Sequence, residues 1–221
     1  MELQKVLHNI FLQSPQNLFD EFLIECQKWY SEPAHTLTEM RIRDNKKIRG
    51  DIFEKFCVLY LKFVMGYKSV YLLEDVPETL LTTLSMKRKD MGIDIVVYDG
   101  TNYMAVQCKY KTKKDTKYTA VSWQNLSTFY ALCMRTGPWS KYIVMTNCDY
   151  VRHQGQKTEK DMSITLNTLR SITKDQWLNM CEISGSPLAE IKDIQLSEEE
   201  LARPNPEQLR ALRLAYYNNI N

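Results

Sequence analysis

The sequence predicts an α/β domain, a central mixed sheet flanked by helices, with an N-terminal helical extension. Two observations carry this expectation. The stretch "GIDIVVYDGTNYMAVQCK", residues 92–109, reads as two short apolar strands joined by the tight turn "YDGTN". Around it the elements run helix, strand, strand, helix, strand, helix, the order of a layered α/β domain.

Residues 1–47 form the extension. Leu3, Val6, Leu7, Ile10 and Phe11 recur at helical spacing, and after a break at Pro15 so do Leu18, Phe22, Ile24, Cys26 and Trp29. "SEPAHT" reads as a loop, and "RIRDNKKIRG" is a basic segment with five Lys or Arg against one Asp. The main domain is expected over residues 48–182. It opens with the helix "GDIFEKFCVLYLKFVMGY", bounded by Gly50 and Gly66. A strand "SVYLL" follows, then a polar loop or short helix, then the hairpin. "TAVSWQNLSTFYALCMRTG" reads as one helix with Trp123, Leu126, Phe129, Tyr130, Cys133 and Met134 along one side, stopped by Gly137 and Pro138. "KYIVMTN" is a short apolar strand with a polar end, and "SITLNTLRSITKDQWLNMC" reads as helix. Residues 183–221 are an acidic, Pro-containing tail that ends in a stretch reading as helix, "EQLRALRLAYYNNIN".

Composition excludes several classes. Of 221 residues, 44% are hydrophobic and 25% charged, ordinary for a globular protein, and the formal net charge of +2 announces no bulk polyanion binder. No run of about 18 apolar residues marks a membrane span, and the N-terminus has no signal-peptide core. The six cysteines lack C-x-x-C spacing and sit mostly in apolar runs, which reads as reduced, buried thiols in an intracellular protein, cytoplasmic or nuclear. His8, His35 and His153 are too scattered to suggest zinc. No glycine-rich phosphate loop occurs.

The hairpin carries the chemistry. Alternate strand residues share a face, so Gln107 and Lys109 point one way and Cys108 the other. Pairing around the turn sets 98 against 103, 96 against 105 and therefore Asp94 against Gln107. A carboxylate, an amide oxygen and an ammonium then meet, a set that suits a hard divalent cation and a phosphate. A solvated hairpin end with an Asp–Lys ion pair is the plainer reading. Glu54 heads the stripe Glu54, Val58, Leu61, Met65 on its helix, where a carboxylate needs compensation. Alternatively Asp51 and Glu54 form a capping box.

Glu54, then "GID" with Asp94, then "QCK" with Gln107 and Lys109, resembles the PD-(D/E)xK nuclease superfamily. Within it the Mrr-type restriction endonucleases carry Q-x-K where other branches have D-x-K or E-x-K. "SWQNLSTFYALC" and "KYIVMTN" resemble that branch's next helix and strand, and the likeness covers roughly residues 48–180. It implies a restriction-endonuclease-like sheet and hydrolysis of DNA phosphodiester bonds dependent on Mg²⁺, with Mn²⁺ as a substitute. By the same resemblance Asp94 is the principal metal ligand, Gln107 adds its amide oxygen and Cys108 its main-chain carbonyl. Lys109 positions and activates water, and Glu54 orients the site or binds metal through water. The departure is the missing second carboxylate at 107, which weakens metal affinity and favours one-metal chemistry. Asp90 either restores some charge or is a loop residue.

Lys87, Arg88 and Lys89 precede this site, and Lys109, Lys111, Lys113, Lys114 and Lys117 follow it, interleaved with Tyr110 and Tyr118. Beside a metal site such a run suits phosphate contact; elsewhere it would be a solvated face. "RIRDNKKIR" extends the same surface. DNA is the expected partner, a homodimer on DNA is compatible with double-strand cleavage, and the chain is compatible with being the nuclease domain of a larger enzyme. Two other functions share the fold: a catalytically inactive nucleic-acid-binding or assembly module, and a junction resolvase.

Overall fold

The computed structural model describes residues 3–14, 16–31, 45–89, 92–112, 118–153 and 157–181. The chain opens with α1 (Leu3–Gln13), α2 (Leu18–Ser31) and α3 (Asn45–Leu59), which runs into a π-turn at Tyr60–Val64. Then come β1 (Ser69–Leu72), a 3-10 turn at Leu73–Asp75 and α4 (Glu78–Thr83). The hairpin is β2 (Ile95–Tyr98) and β3 (Tyr103–Lys109). Beyond it lie β4 (Ala120–Val121), a 3-10 turn at Trp123–Asn125, α5 (Ser127–Cys133), β5 (Lys141–Thr146) and β6 (Tyr150–Val151). β7 (Asp161–Ile164), α6 (Leu166–Arg170) and α7 (Lys174–Cys181) complete the described chain.

The mixed sheet has strand order β1-β2-β3-β5-β7. β1, β2 and β3 pair antiparallel, whereas β3, β5 and β7 pair parallel. Ile95 faces Val106 and Tyr98 faces Tyr103, the register expected from the turn. Asp99 Oδ1 sets that turn by accepting the N–H groups of Thr101 (2.9 Å) and Asn102 (2.7 Å).

Strand parity sorts the core into two layers. Ile95, Val97, Val106, Cys108, Ile143, Met145 and Ile164 pack against α1, α2, α3 and α7 around Phe19, Phe22, Phe53, Phe56 and Trp177. Val96, Ala105 and Val144 pack on the other face against Leu81, Leu84, Leu126, Phe129 and Trp139. The N-terminal helices thus belong to the main core. Trp177 ties α7 to α1 by donating its indole N–H to the Leu7 carbonyl at 3.0 Å. All six cysteines are free and buried. Among the described residues no helix is long and apolar enough to cross a membrane.

Three elements differ from the sequence expectation. α3 starts at Asn45, so Gly50 lies inside it. The roughly 1 kcal/mol that a mid-helix glycine costs relative to alanine is outweighed by the burial of Phe53, Phe56 and Cys57 in the next turns. The expected helix from Thr119 is shorter, because Ala120–Val121 pair with Tyr150–Val151. The Ser122 N–H and hydroxyl both donate to Asn125 Oδ1, closing a local turn before α5 begins. Met134 falls past the end of α5 and is 86% exposed rather than on the buried side. Finally, Ser163 and Ile164 end the edge strand β7 rather than starting a helix. Only Ile164 of that strand is buried, so it has no alternation to recognise. The helical part is split, and α7 begins with a reciprocal Thr173–Gln176 cap.

Candidate active site

The site forms where β2 begins and β3 ends. Asp94 continues the β2 pairing by one residue: its N–H donates to the Val106 carbonyl (2.9 Å) and its carbonyl accepts the Leu73 N–H (2.9 Å). Its main chain is therefore gripped on both sides. Gly92, two residues earlier, has φ +137°, and a Cβ there would stand 3.1–3.2 Å from the main chain of Thr128 and Phe129. A side chain at this position would be strained and would push the approach to Asp94 away from α5.

The Asp94 carboxylate accepts the Cys108 N–H at 2.6 Å through Oδ2, and the same oxygen accepts the Gln107 side-chain amide. That amide also donates to the Cys108 carbonyl at 3.4 Å. Gln107 is 3% exposed, a buried polar group with its partners supplied locally. Cys108 itself points into the opposite layer, as strand parity requires.

These groups open onto a cavity of about 620 Å³, lined also by Glu54, Lys109, Asn125 and Thr128, with Asp51, Lys55, Glu74 and Arg88 among its other walls. Glu54 reaches it from α3. Because α3 begins at Asn45, Asp51 sits in the helix body, and the capping-box reading of Asp51 and Glu54 does not hold. Burial, then the charges of Asp94 and Asp51, push Glu54 up to about 7 against the pull of Lys109. Burial likewise raises Asp94, opposed by the Cys108 N–H, by Lys109 and by the Gln107 amide. Lys109 lines the same cavity and forms no close ion pair among the described residues, so its charge acts on both carboxylates from beyond ion-pair distance.

The donor set fits a hard cation. Asp94 Oδ2 and the Cys108 carbonyl oxygen converge on one point, which the electropositive NH₂ group of Gln107 takes. Turned end for end, that amide offers an oxygen instead. The lining carboxylates Asp51, Glu54, Glu74 and Asp94 outnumber the cations Lys55, Arg88 and Lys109. Among the described residues no three His, Cys, Asp or Glu side chains gather as a metal cage.

Several residues absent from the sequence-based site support it. Thr146 Oγ1, at the end of β5, donates to the Lys109 carbonyl at 2.7 Å. Asn147 accepts the Lys111 N–H (2.8 Å) and donates to its carbonyl (2.7 Å), extending the β3–β5 ladder with a side chain. Thr146 and Asn147, with Gln107, are the buried polar residues of the described chain. Their only sequence signal is the polar end of "KYIVMTN". Arg49 Nη1 joins α3 to the segment after β3 through Thr112 Oγ1 at 2.6 Å.

The expected basic surface is distributed unevenly. Lys87 and Lys89 are exposed. Arg88 lines the cavity and bonds the Glu74 carbonyl (2.7 Å) and Glu78 (3.0 Å). The Lys111 ammonium turns inward to the Ala120 carbonyl (2.7 Å) and Asn125 Oδ1 (3.2 Å). Lys113, Lys114, Lys117, Asp90, the start of "RIRDNKKIRG" and the tail after Cys181 lie outside the described residues.

No curated protein and no solved structure matches the chain. Residues 62–182 match the restriction endonuclease family. The matched span holds the hairpin and the strand that steadies it, and it stops short of the helix bearing Glu54. Since it takes in more than half of the sequence, the chain belongs to the restriction endonuclease family, in its Mrr-type branch.

Proposed function

We propose that this chain is a Mg²⁺-dependent endonuclease that hydrolyses DNA phosphodiester bonds at the cavity between α3 and the hairpin. One observation carries the proposal: two oxygens, on Asp94 and Cys108, converge on the Gln107 amide at the strand end that bears Lys109. Asp94, the Cys108 carbonyl and Gln107 would hold the cation, which when bound supplies Lewis-acid stabilisation of charge on the phosphate. Lys109 Nζ holds the attacking water and offsets negative charge on the phosphate oxygens. Glu54, facing the same space from α3, orients water and takes up a proton readily, since it titrates at about 7.

A cleavage assay tests this on supercoiled plasmid and on single-stranded DNA, with Mg²⁺, with Mn²⁺ and with EDTA. Cleavage that needs the metal and is lost in Lys109→Ala is the expected result. Metal-independent cleavage, or none with either metal, would overturn the reading and leave a nucleic-acid-binding module of the same fold. Selective cutting of four-way junctions would favour a resolvase.

A further inference from the structure

A second cavity of about 370 Å³ lies on the far side of the segment that walls the catalytic one. The Trp123–Asn125 turn and α5 give Asn125 and Thr128 to the catalytic cavity and Trp123, Ser127 and Tyr130 to the second. Its volume lies in the range of small-molecule pockets. Aromatic rings make its wall. Trp123 and Tyr130 stack at 5.0 Å with planes 20° apart, and Tyr142 meets Tyr130 edge-on at 6.0 Å. Met134, 86% exposed, stands at the rim.

Polar groups are set against this wall. Tyr130 donates its hydroxyl to Asp161 Oδ1 at 3.0 Å and lies 3.5 Å from His153 Nδ1, and His153 Nε2 lies 3.3 Å from Ser163 Oγ. Asp161 Oδ2 is taken by the N–H and hydroxyl of Thr158, so Oδ1 keeps capacity for one more donor. Around the pocket, Arg135, Arg152, Lys157 and Lys160 are exposed neighbours in sequence of Met134, His153, Thr158 and Asp161, against the acidic residues Glu159 and Asp161. Lys160 Nζ lies 5.8 Å from the centre of the Tyr142 ring.

A planar ring that prolongs the aromatic stack, carries an amino group for Asp161 and hangs from an anionic backbone meets all three features. We propose that this pocket takes an unpaired nucleobase of the DNA substrate, one bearing an exocyclic amine, and stacks it on the Trp123–Tyr130–Tyr142 wall. Stacking needs no base sequence, because every base has a π-face, and the amine contact selects against thymine. The proposal rests on the nuclease reading, since the base belongs to the DNA that the catalytic cavity would cut.

The test uses two labelled duplexes of one sequence, fully paired or with one bulged adenine, and measures anisotropy in Ca²⁺ in place of Mg²⁺. The wild type should bind the bulged duplex about tenfold more tightly, the size of one base–aromatic stack. A bulged 2-aminopurine should lose fluorescence on binding. Trp123→Ala with Tyr142→Ala should abolish both effects and leave affinity for the paired duplex unchanged. Ala131→Met provides a second route: Ala131 is an exposed pocket residue on α5, and methionine there fills the space while keeping a good helix former. Equal binding of the two duplexes by the wild type, or an unchanged preference in the variants, would overturn the proposal and leave the nuclease reading standing. Binding of neither duplex would overturn both.

Discussion

Cys108 holds Asp94 from its main chain twice over: its N–H donates to Asp94 Oδ2 at 2.6 Å, and its carbonyl oxygen shares the Gln107 amide with that same carboxylate. Asp94→Asn removes the charge from this arrangement without changing its shape. Titration calorimetry with Mn²⁺ should then give no binding heat. Undiminished binding would move the metal site elsewhere. Gln107→Glu should do the reverse, binding Mn²⁺ more tightly while melting at lower temperature in EDTA, because two carboxylates then face each other.

Lys109→Ala should lower the cleavage rate by about 10²–10⁴, the range for a lost proton-transfer group. The side chain is only half-buried and forms no close ion pair among the described residues, so stability should shift by no more than about 0.5 kcal/mol. Wild-type cleavage rates in the variant would remove the role.

Glu54 makes stability depend on pH. Its folded pKa of about 7 lies above the ordinary value of 4.5. The folded state therefore binds this proton more tightly, and the stability that gives is full below about pH 4.5 and lost as pH rises through 7. In EDTA the wild type should lose melting temperature between pH 5 and 8 more steeply than Glu54→Gln. Asp94, raised in the same direction, leaves a residual slope in the variant. Parallel melting profiles would contradict the assignment.

Asn147→Ala deletes both side-chain bonds to the Lys111 main chain. The expected cost is roughly 1–3 kcal/mol, read by denaturant unfolding. Cleavage should fall at least tenfold through misplacement of Lys109, while Mn²⁺ binding stays as in the wild type. Normal cleavage in a destabilised variant would make Asn147 structural alone.

What could be read from the sequence was what local geometry dictates. A two-residue strand period and one turn are enough to set Asp94 opposite Gln107 and to send Cys108 into the other layer, and the register bears this out. Glu54 at the head of an apolar stripe could be read for the same reason, since a carboxylate there needs a partner. Asn147 could not: its bonds reach 36 residues back along the chain, and no local pattern encodes them. The inward turn of Lys111 was hidden too, because composition marks a lysine as basic but not where its ammonium goes. β7 was missed because an edge strand with one buried residue resembles the start of a helix.

The turn at Asp99–Asn102 sits five residue pairs from Asp94 and Gln107, about 17 Å along the strands. Its hydrogen bonds are local, and Gly100, Thr101 and Asn102 are exposed. The hairpin therefore has a cavity end and a turn end joined by the β2–β3 ladder. The turn end is the natural place to open the chain: a circular permutant cut between Gly100 and Thr101, or a reporter domain spliced in there, would leave the cleft at the opposite end of the strands intact.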